Sequence, residues 1–177
     1  MRDNCRMIRD AIPMEDAARV AEIYNFYVAT HTATFEVDAV GEAVMANRIA
    51  AVQSAGLPWI VATDALGIVG YAYASTFHER AAYVHTLSTS VYLDRGETGR
   101  GLGRTLYREL VKRVTSLDDS PHAPVHSLVA GIALPNDASV GLHESLGFEH
   151  VGTIRQAGLK FDRWLDVGYW QLGLARE

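Results

Sequence analysis

The stretch Asp94-Arg95-Gly96-Glu97-Thr98-Gly99-Arg100-Gly101-Leu102-Gly103-Arg104-Thr105-Leu106-Tyr107 decides how the rest of the chain is read. A run rich in Tyr, Val and Thr, residues 82–93, ends where it begins, and a helical pattern over residues 102–114 starts near its end. In that pattern Leu102, Leu106, Leu110 and Val114 form one apolar stripe, while Arg104, Arg108 and Lys112 share another face. A strand–loop–helix junction exposes unpaired backbone N–H groups at the positive end of the helix dipole, and so attracts phosphate. Gly99, Gly101 and Gly103 allow a tight turn and a close approach of phosphate to the main chain. Arg100 and Arg104 stand to add charge-assisted contacts, with Thr98, Leu102 and Thr105 completing the candidate loop.

Two phosphate loops fail to match. A Walker loop needs Gly where Thr98 stands and Lys where Arg104 follows Gly103. A dinucleotide loop follows the first strand of its unit, whereas this one follows the fourth. A glycine-rich turn that merely opens a helix stays possible on these residues alone.

Upstream, residues 7–12 read as a strand stopped by Pro13. Residues 15–28 read as a helix, with Ala18, Ala21, Tyr24 and Val28 at helical spacing behind Glu15 and Asp16. A loop over 31–36, a helix over 41–54 and strands over 59–63 and 68–77 follow. Downstream come a strand over 125–133, a helix over 137–146 capped by Gly147, and strands over 148–155 and 165–174 joined by a loop over 156–164. The order β-α-α-β-β-β-α-β-α-β-β predicts one mixed α/β domain over residues 1–177.

Composition narrows the functions. Sixteen Lys and Arg against 21 Asp and Glu give a net charge of −5, without the basic excess of a nucleic-acid binder. One cysteine, Cys5, excludes an internal disulfide framework and fits a reducing cytoplasm. The opening MRDNCRMIRD does not read as a signal peptide, and no run approaches the roughly 18 apolar residues of a membrane span. His122 and His126 have a ligand-like spacing, but in a Pro-bearing loop without evident partners, so no metal is expected.

Two motifs in order make the reading specific. The first is Thr98-x-x-Gly101-x-Gly103; the second is Asn136 followed by a short helix ending in Leu146-Gly147-Phe148. Together they resemble the GCN5-related N-acetyltransferase family. Ser90-Val91-Tyr92-Leu93, Leu134-Pro135-Asn136-Asp137, Leu142-His143-Glu144, Ala157-Gly158-x-Lys160 and Trp164-x-Asp166-Val167-Gly168-Tyr169-Trp170-Gln171 bring it close to the phosphinothricin and methionine sulfoximine acetyltransferase branch. The likeness runs from about Met7 to Leu174.

What the resemblance implies is an enzyme that moves acetyl from acetyl-CoA to the amine of a small amino-acid-like substrate. It implies that two central parallel strands splay and hold the pantetheine arm against the backbone of Val91, Tyr92 and Leu93. One of those N–H groups would face the thioester carbonyl. Asn136 and Ser139 would lie beside the arm, unless Asn136 serves only as a helix cap. His143 stands where relatives carry a proton-donating Tyr, and is otherwise a half-buried helix histidine. Arg80 would grip a substrate carboxylate, Phe35 and Tyr83 would wall the pocket, and Lys160 and Trp164 would close it, from a neighbouring subunit in a homodimer. The chain departs from the pattern at Thr98, where the family has Gln or Arg, and at Ser88, where the branch carries the glutamate that serves as general base. Ser88 with a held water, His85, Glu79 and Asp94 are the candidate replacements. Ser88 is also the feature that favours a non-catalytic acyl-CoA-binding module. An acetyltransferase for a different amine or a protein amine stays open as well.

Overall fold

The computed structural model describes residues 6–118 and 120–174; Cys5 lies outside them. Its strands are β1 (Met7–Asp10), β2 (Trp59–Asp64), β3 (Gly67–Thr76), β4 (Thr86–Leu93), β5 (Ser127–Leu134), β6 (Glu149–Lys160) and β7 (Arg163–Gly173). Its helices are α1 (Pro13–Thr30), α2 (Glu42–Ser54), α3 (Leu102–Thr115) and α4 (Asp137–Glu144). The seven strands form one sheet in the order β1-β2-β3-β4-β5-β7-β6.

Strand alternation divides the core between the two faces. Ile60, Ala62, Val69, Ala72, Ala74 and Leu87 pack with α3 through Leu102, Leu106, Leu110 and Val114, all at most 6% exposed. Each of the Leu, Ile and Val side chains among them contributes about 1.5–3 kcal/mol by leaving water. Trp59, Val61 and Tyr71 turn to the opposite face, against Val20, Ile23 and Tyr24 of α1 and Met45 and Ile49 of α2.

The feature that positions the site is a break in the sheet. β4 and β5 run parallel but pair only at Thr86–Ser127, Leu87–Leu128 and Ser88–Val129. Beyond Ser88, β4 stays paired to β3 as far as Leu93, and β5 stays paired to β7 as far as Leu134. The facing inner edges therefore diverge with unpaired backbone groups between them, which a buried site must satisfy by some other partner.

Four expectations change. Pro13 opens α1, occupying a first-turn position where its missing N–H costs nothing. Ala17 and Val20 take the buried stripe there and Ala18 faces solvent. Residues 81–83 are a 3-10 turn, so β4 starts only at Thr86. Residues 156–164, expected as a loop, are mostly strand: β6 and β7 continue to a tight hairpin. Phe161 and Asp162 occupy its turn at φ of 52° and 56°, a conformation composition does not announce when neither residue is glycine.

Candidate active site

The wedge between β4 and β5 opens into a cavity of about 760 Å³. Thr89 to Leu93 form one wall, Ala130 to Ala133 the other, and the α3 loop and α4 complete the mouth. Gly99 and Gly101 sit at φ of 75° and 81° and line it. A Cβ on either would meet nothing within 4 Å, so the space beside the backbone is open to a ligand group. Gly101 is the N-cap of α3 and brings no side chain to the helix start, which leaves the first N–H groups for an anion. Gly103 is tight instead: a Cβ there would lie 3.3 Å from Leu142, so glycine lets α3 pack on α4.

These features fit the pyrophosphate and pantetheine of acetyl-CoA: a bare helix N-terminus, a Cβ-free cradle and two unpaired strand edges. Arg95 and Arg104 line the mouth. Arg104 also donates to the Ser145 carbonyl at 3.2 Å, and the Arg95 guanidinium lies over the Phe26 ring at 5.9 Å. Arg100 turns outward and pairs with Glu97 at 3.7 Å, and Glu97 also takes Arg6. The phosphate loop is thereby tied to the strand β1 end of the sheet.

A buried polar chain lies under the cleft where the strands part. Thr89 and Tyr107 share a short hydroxyl–hydroxyl hydrogen bond, and the Tyr107 hydroxyl lies 3.1 Å from His143 Nε2. His143 Nδ1 lies 2.7 Å from the Ser139 carbonyl. A carbonyl only accepts, so Nδ1 carries the hydrogen and Nε2 accepts from Tyr107. Burial pulls the His143 pKa down, partly offset by the Ser139 carbonyl, and so keeps the ring neutral near pH 7. Burial drives the Tyr107 hydroxyl far up, opposed by Thr89, so it stays protonated. Thr89 and His143 line the cavity, giving it a path for a proton. Asn136 caps α4 by accepting from Ser139 N at 3.1 Å, yet also lines the cavity.

The opposite face of the same strands is aromatic. Tyr73 stands across from Ser90, and Ser75 stands across from Ser88. Tyr24 and Tyr27 both meet Tyr92 edge-on, at 5.2 and 5.3 Å. A second cavity of about 290 Å³ lies here, between α2 and the stacked rings of Trp59 and Tyr73. The Trp59 indole N–H is a buried donor without a partner among the described residues.

The structure gathers Val91, Tyr92, Leu93, Thr98, Gly99, Gly101, Gly103, Arg104, Asn136, Ser139 and His143 around the main cavity. Leu102 is buried beneath it, and the Thr105 hydroxyl returns to the Gly101 carbonyl. The Leu93 carbonyl is already taken by the Tyr27 hydroxyl at 2.7 Å. His85 lies before β4, its Nδ1 bonded to the His122 carbonyl, away from both cavities. Arg80 and Tyr83 are exposed, with Tyr83 against Phe77 and His78. Lys160 is 3% exposed and spends its ammonium on the carbonyls of Thr34 (2.8 Å) and Tyr27 (3.4 Å). Its burial lowers its pKa, countered by Glu36. Trp164 is exposed on β7, and Phe35 lies where a Cβ on Gly158 would project. Phe26, Tyr27, His31, Thr89, Arg95 and Tyr107 escaped the sequence reading. The doublet Phe26-Tyr27, aromatic and off the apolar stripe of α1, was the available signal.

Known proteins agree with this geometry. The family model described as an acetyltransferase (GNAT) domain matches residues 9–168. The phosphinothricin N-acetyltransferase of Alcaligenes faecalis is 38% identical over 163 residues, covering 92% of this chain and 78% of that protein. An L-methionine sulfoximine/L-methionine sulfone acetyltransferase of Pseudomonas paraeruginosa is 37% identical, with 94% of both chains covered. The solved structure of a GNAT superfamily phosphinothricin acetyltransferase from Sinorhizobium meliloti, in complex with acetyl-CoA, superposes with a TM-score of 0.89 at 37% identity. That match covers 96% of this chain and 89% of the other. A glycine cradle at a helix start, a parted strand pair and these relatives lead to one assignment: the chain belongs to the GNAT family of acetyl-CoA-dependent N-acetyltransferases.

Proposed function

We propose that this protein acetylates the amino group of a small amino-acid-like acceptor of the phosphinothricin or methionine sulfoximine and sulfone type. The observation that carries this reading is the cleft between β4 and β5, in a chain 37–38% identical to relatives named for those acceptors. When bound, acetyl-CoA supplies the acetyl group as an activated thioester. The α3 N-terminus with Gly99, Gly101 and Arg104 holds its phosphates, and the inner edge of β4 orients its arm. A Val91 main-chain N–H donates toward the reacting carbonyl. The Thr89–Tyr107–His143 chain forms the polar floor of the cleft, reaching it at Thr89, and the proton that the leaving sulfur takes up comes from the acceptor amine. Arg80, Tyr83 and Phe35 contribute to acceptor recognition.

Residues 1–177 act as one domain, in the cytoplasm, as a homodimer. Among the described residues no helix is long and apolar enough to cross a membrane. Support for the dimer comes from β6, an edge strand with Val151, Ile154 and Leu159 all more than half exposed. Such an edge is normally covered or blunted.

Thiol release from acetyl-CoA, followed with phosphinothricin, methionine sulfoximine, methionine sulfone and ordinary amino acids, tests the activity. Turnover is expected with at least one of the first three. Coenzyme binding without turnover on any amine would establish a binding module instead.

A further inference from the structure

The reaction needs a group that takes a proton from the acceptor, because an amine is an ammonium ion near neutral pH and has no lone pair to attack with. Ser88 cannot hold that proton. His85 is exposed ahead of β4 with its Nδ1 on the His122 carbonyl and lines neither cavity, and Asp94 is bound to Arg19 at 2.7 Å at the far end of β4. Glu79 is exposed, in the segment ahead of the 3-10 turn.

A carboxylate does stand on the right face of the sheet, and it comes from the loop after α1. We propose that Glu36 accepts the acceptor's proton in place of a side chain at Ser88. This rests on the reading that the acceptor is an amine entering from the α1–α2 side of β4, the side to which Ser88, Ser90 and Tyr92 turn. Arg48 of α2 holds Glu36 Oε1 at 2.7 Å and fixes its direction. Arg48 lies over the Tyr24 ring at 6.0 Å and lines the second cavity with Tyr24 and Tyr73, and Lys160 donates to the carbonyl of Thr34 two residues before Glu36, so the carboxylate sits on the face shared by α1, α2 and β3. Tyr73 stands directly across from Ser90 on the neighbouring strand, and Ser90 lines the acetyl-CoA cavity. The Glu36 side chain is 36% exposed, which lets solvent carry the proton off.

The balance is simple. Glu36 takes one proton from the ammonium; the freed lone pair forms the new N–C bond as the C–S bond breaks. The second amine proton accounts for the thiol, and Glu36 returns its own to solvent.

The test is the pH profile of kcat/KM for the acceptor in Glu36→Gln and in the double variant Glu36→Gln with Ser88→Glu. Glu36→Gln should lose about 10²-fold or more near pH 7 and recover as the pH rises toward that of the free amine, with an unchanged KM for acetyl-CoA. A carboxylate installed at Ser88 should restore activity at neutral pH, which repair of a merely structural loss would not. Glu36 is a half-exposed loop residue, so the variant is expected to fold, and a melting curve checks it. An unchanged profile in Glu36→Gln overturns the inference, as does a loss that neither high pH nor Ser88→Glu repairs. A wild-type chain inactive on every amine overturns this inference together with the proposed activity, whereas an active wild type with an unaffected Glu36→Gln overturns this inference alone.

Discussion

On one side of the cleft the groups facing the coenzyme site come mostly from a single continuous stretch, Thr89 to Arg104, with Asn136, Ser139 and His143 from one short helix. The other side draws on Tyr24, Phe35, Glu36, Arg48, Tyr73 and Lys160, spread over elements from α1 to β6. The first is built from backbone: φ angles near +80°, a bare helix start and unpaired strand edges. The second is built from side chains that meet only after folding. Backbone sites tolerate most neighbours but not a Cβ in the wrong place. Side-chain sites tolerate loop changes but depend on long-range docking.

The largest effect should therefore follow a change in the cradle. Gly101→Val places a β-branched residue at φ of 81° and fills the open space beside it. Strain alone is of order 1–3 kcal/mol, and lost phosphate contact adds to it. KM for acetyl-CoA should rise about 100-fold with little change in acceptor KM, read by initial-rate kinetics in both substrates. A rise in acceptor KM of equal size would show that the two sides are not separable.

A smaller effect should follow on the acceptor side. Lys160→Met keeps the length but leaves the carbonyls of Thr34 and Tyr27 without the buried ammonium. Leaving such acceptors unmade costs about 1–3 kcal/mol. The melting temperature should fall and acceptor KM should rise several-fold, while acetyl-CoA binding, followed by calorimetry, stays near wild type. Loss of coenzyme binding instead would mean that the β6–β7 hairpin supports the whole cleft through Tyr27.

The smallest effect concerns the buried chain beneath both sides. His143 has its pKa lowered by burial, so the unfolded chain takes up a proton first as the pH falls below the ordinary value of 6.5. The stability this gives is complete above 6.5 and is lost as the pH falls from there through the depressed folded value. Wild type should thus lose a degree or two more in melting temperature between pH 7.5 and 5.5 than His143→Gln does. Equal slopes would place the acid sensitivity elsewhere.

How much of this was legible follows the same division. The stripe of Leu102, Leu106, Leu110 and Val114 and the glycines before it are local patterns, and helix, loop and phosphate site could be read from them. Ser88 was legible as a missing base because the resemblance sets it where the branch carries a glutamate. The substitute, Glu36, was not: nothing near it in sequence separates it from an ordinary loop acid. Tyr107 looked like one more residue of a helix, and only the fold sets its hydroxyl against Thr89 and His143, 18 and 36 positions away.

By itself, then, the chain determined its element order, its family and the cradle for the coenzyme, because glycine conformations, helix dipoles and apolar periodicity act within a few residues. Only the tertiary structure decided that Lys160 is spent on backbone carbonyls, that residues 156–164 form a hairpin, and that Glu36 shares a face with Ser88. Those outcomes depend on which distant surfaces are buried together, and burial is a property of the packed whole.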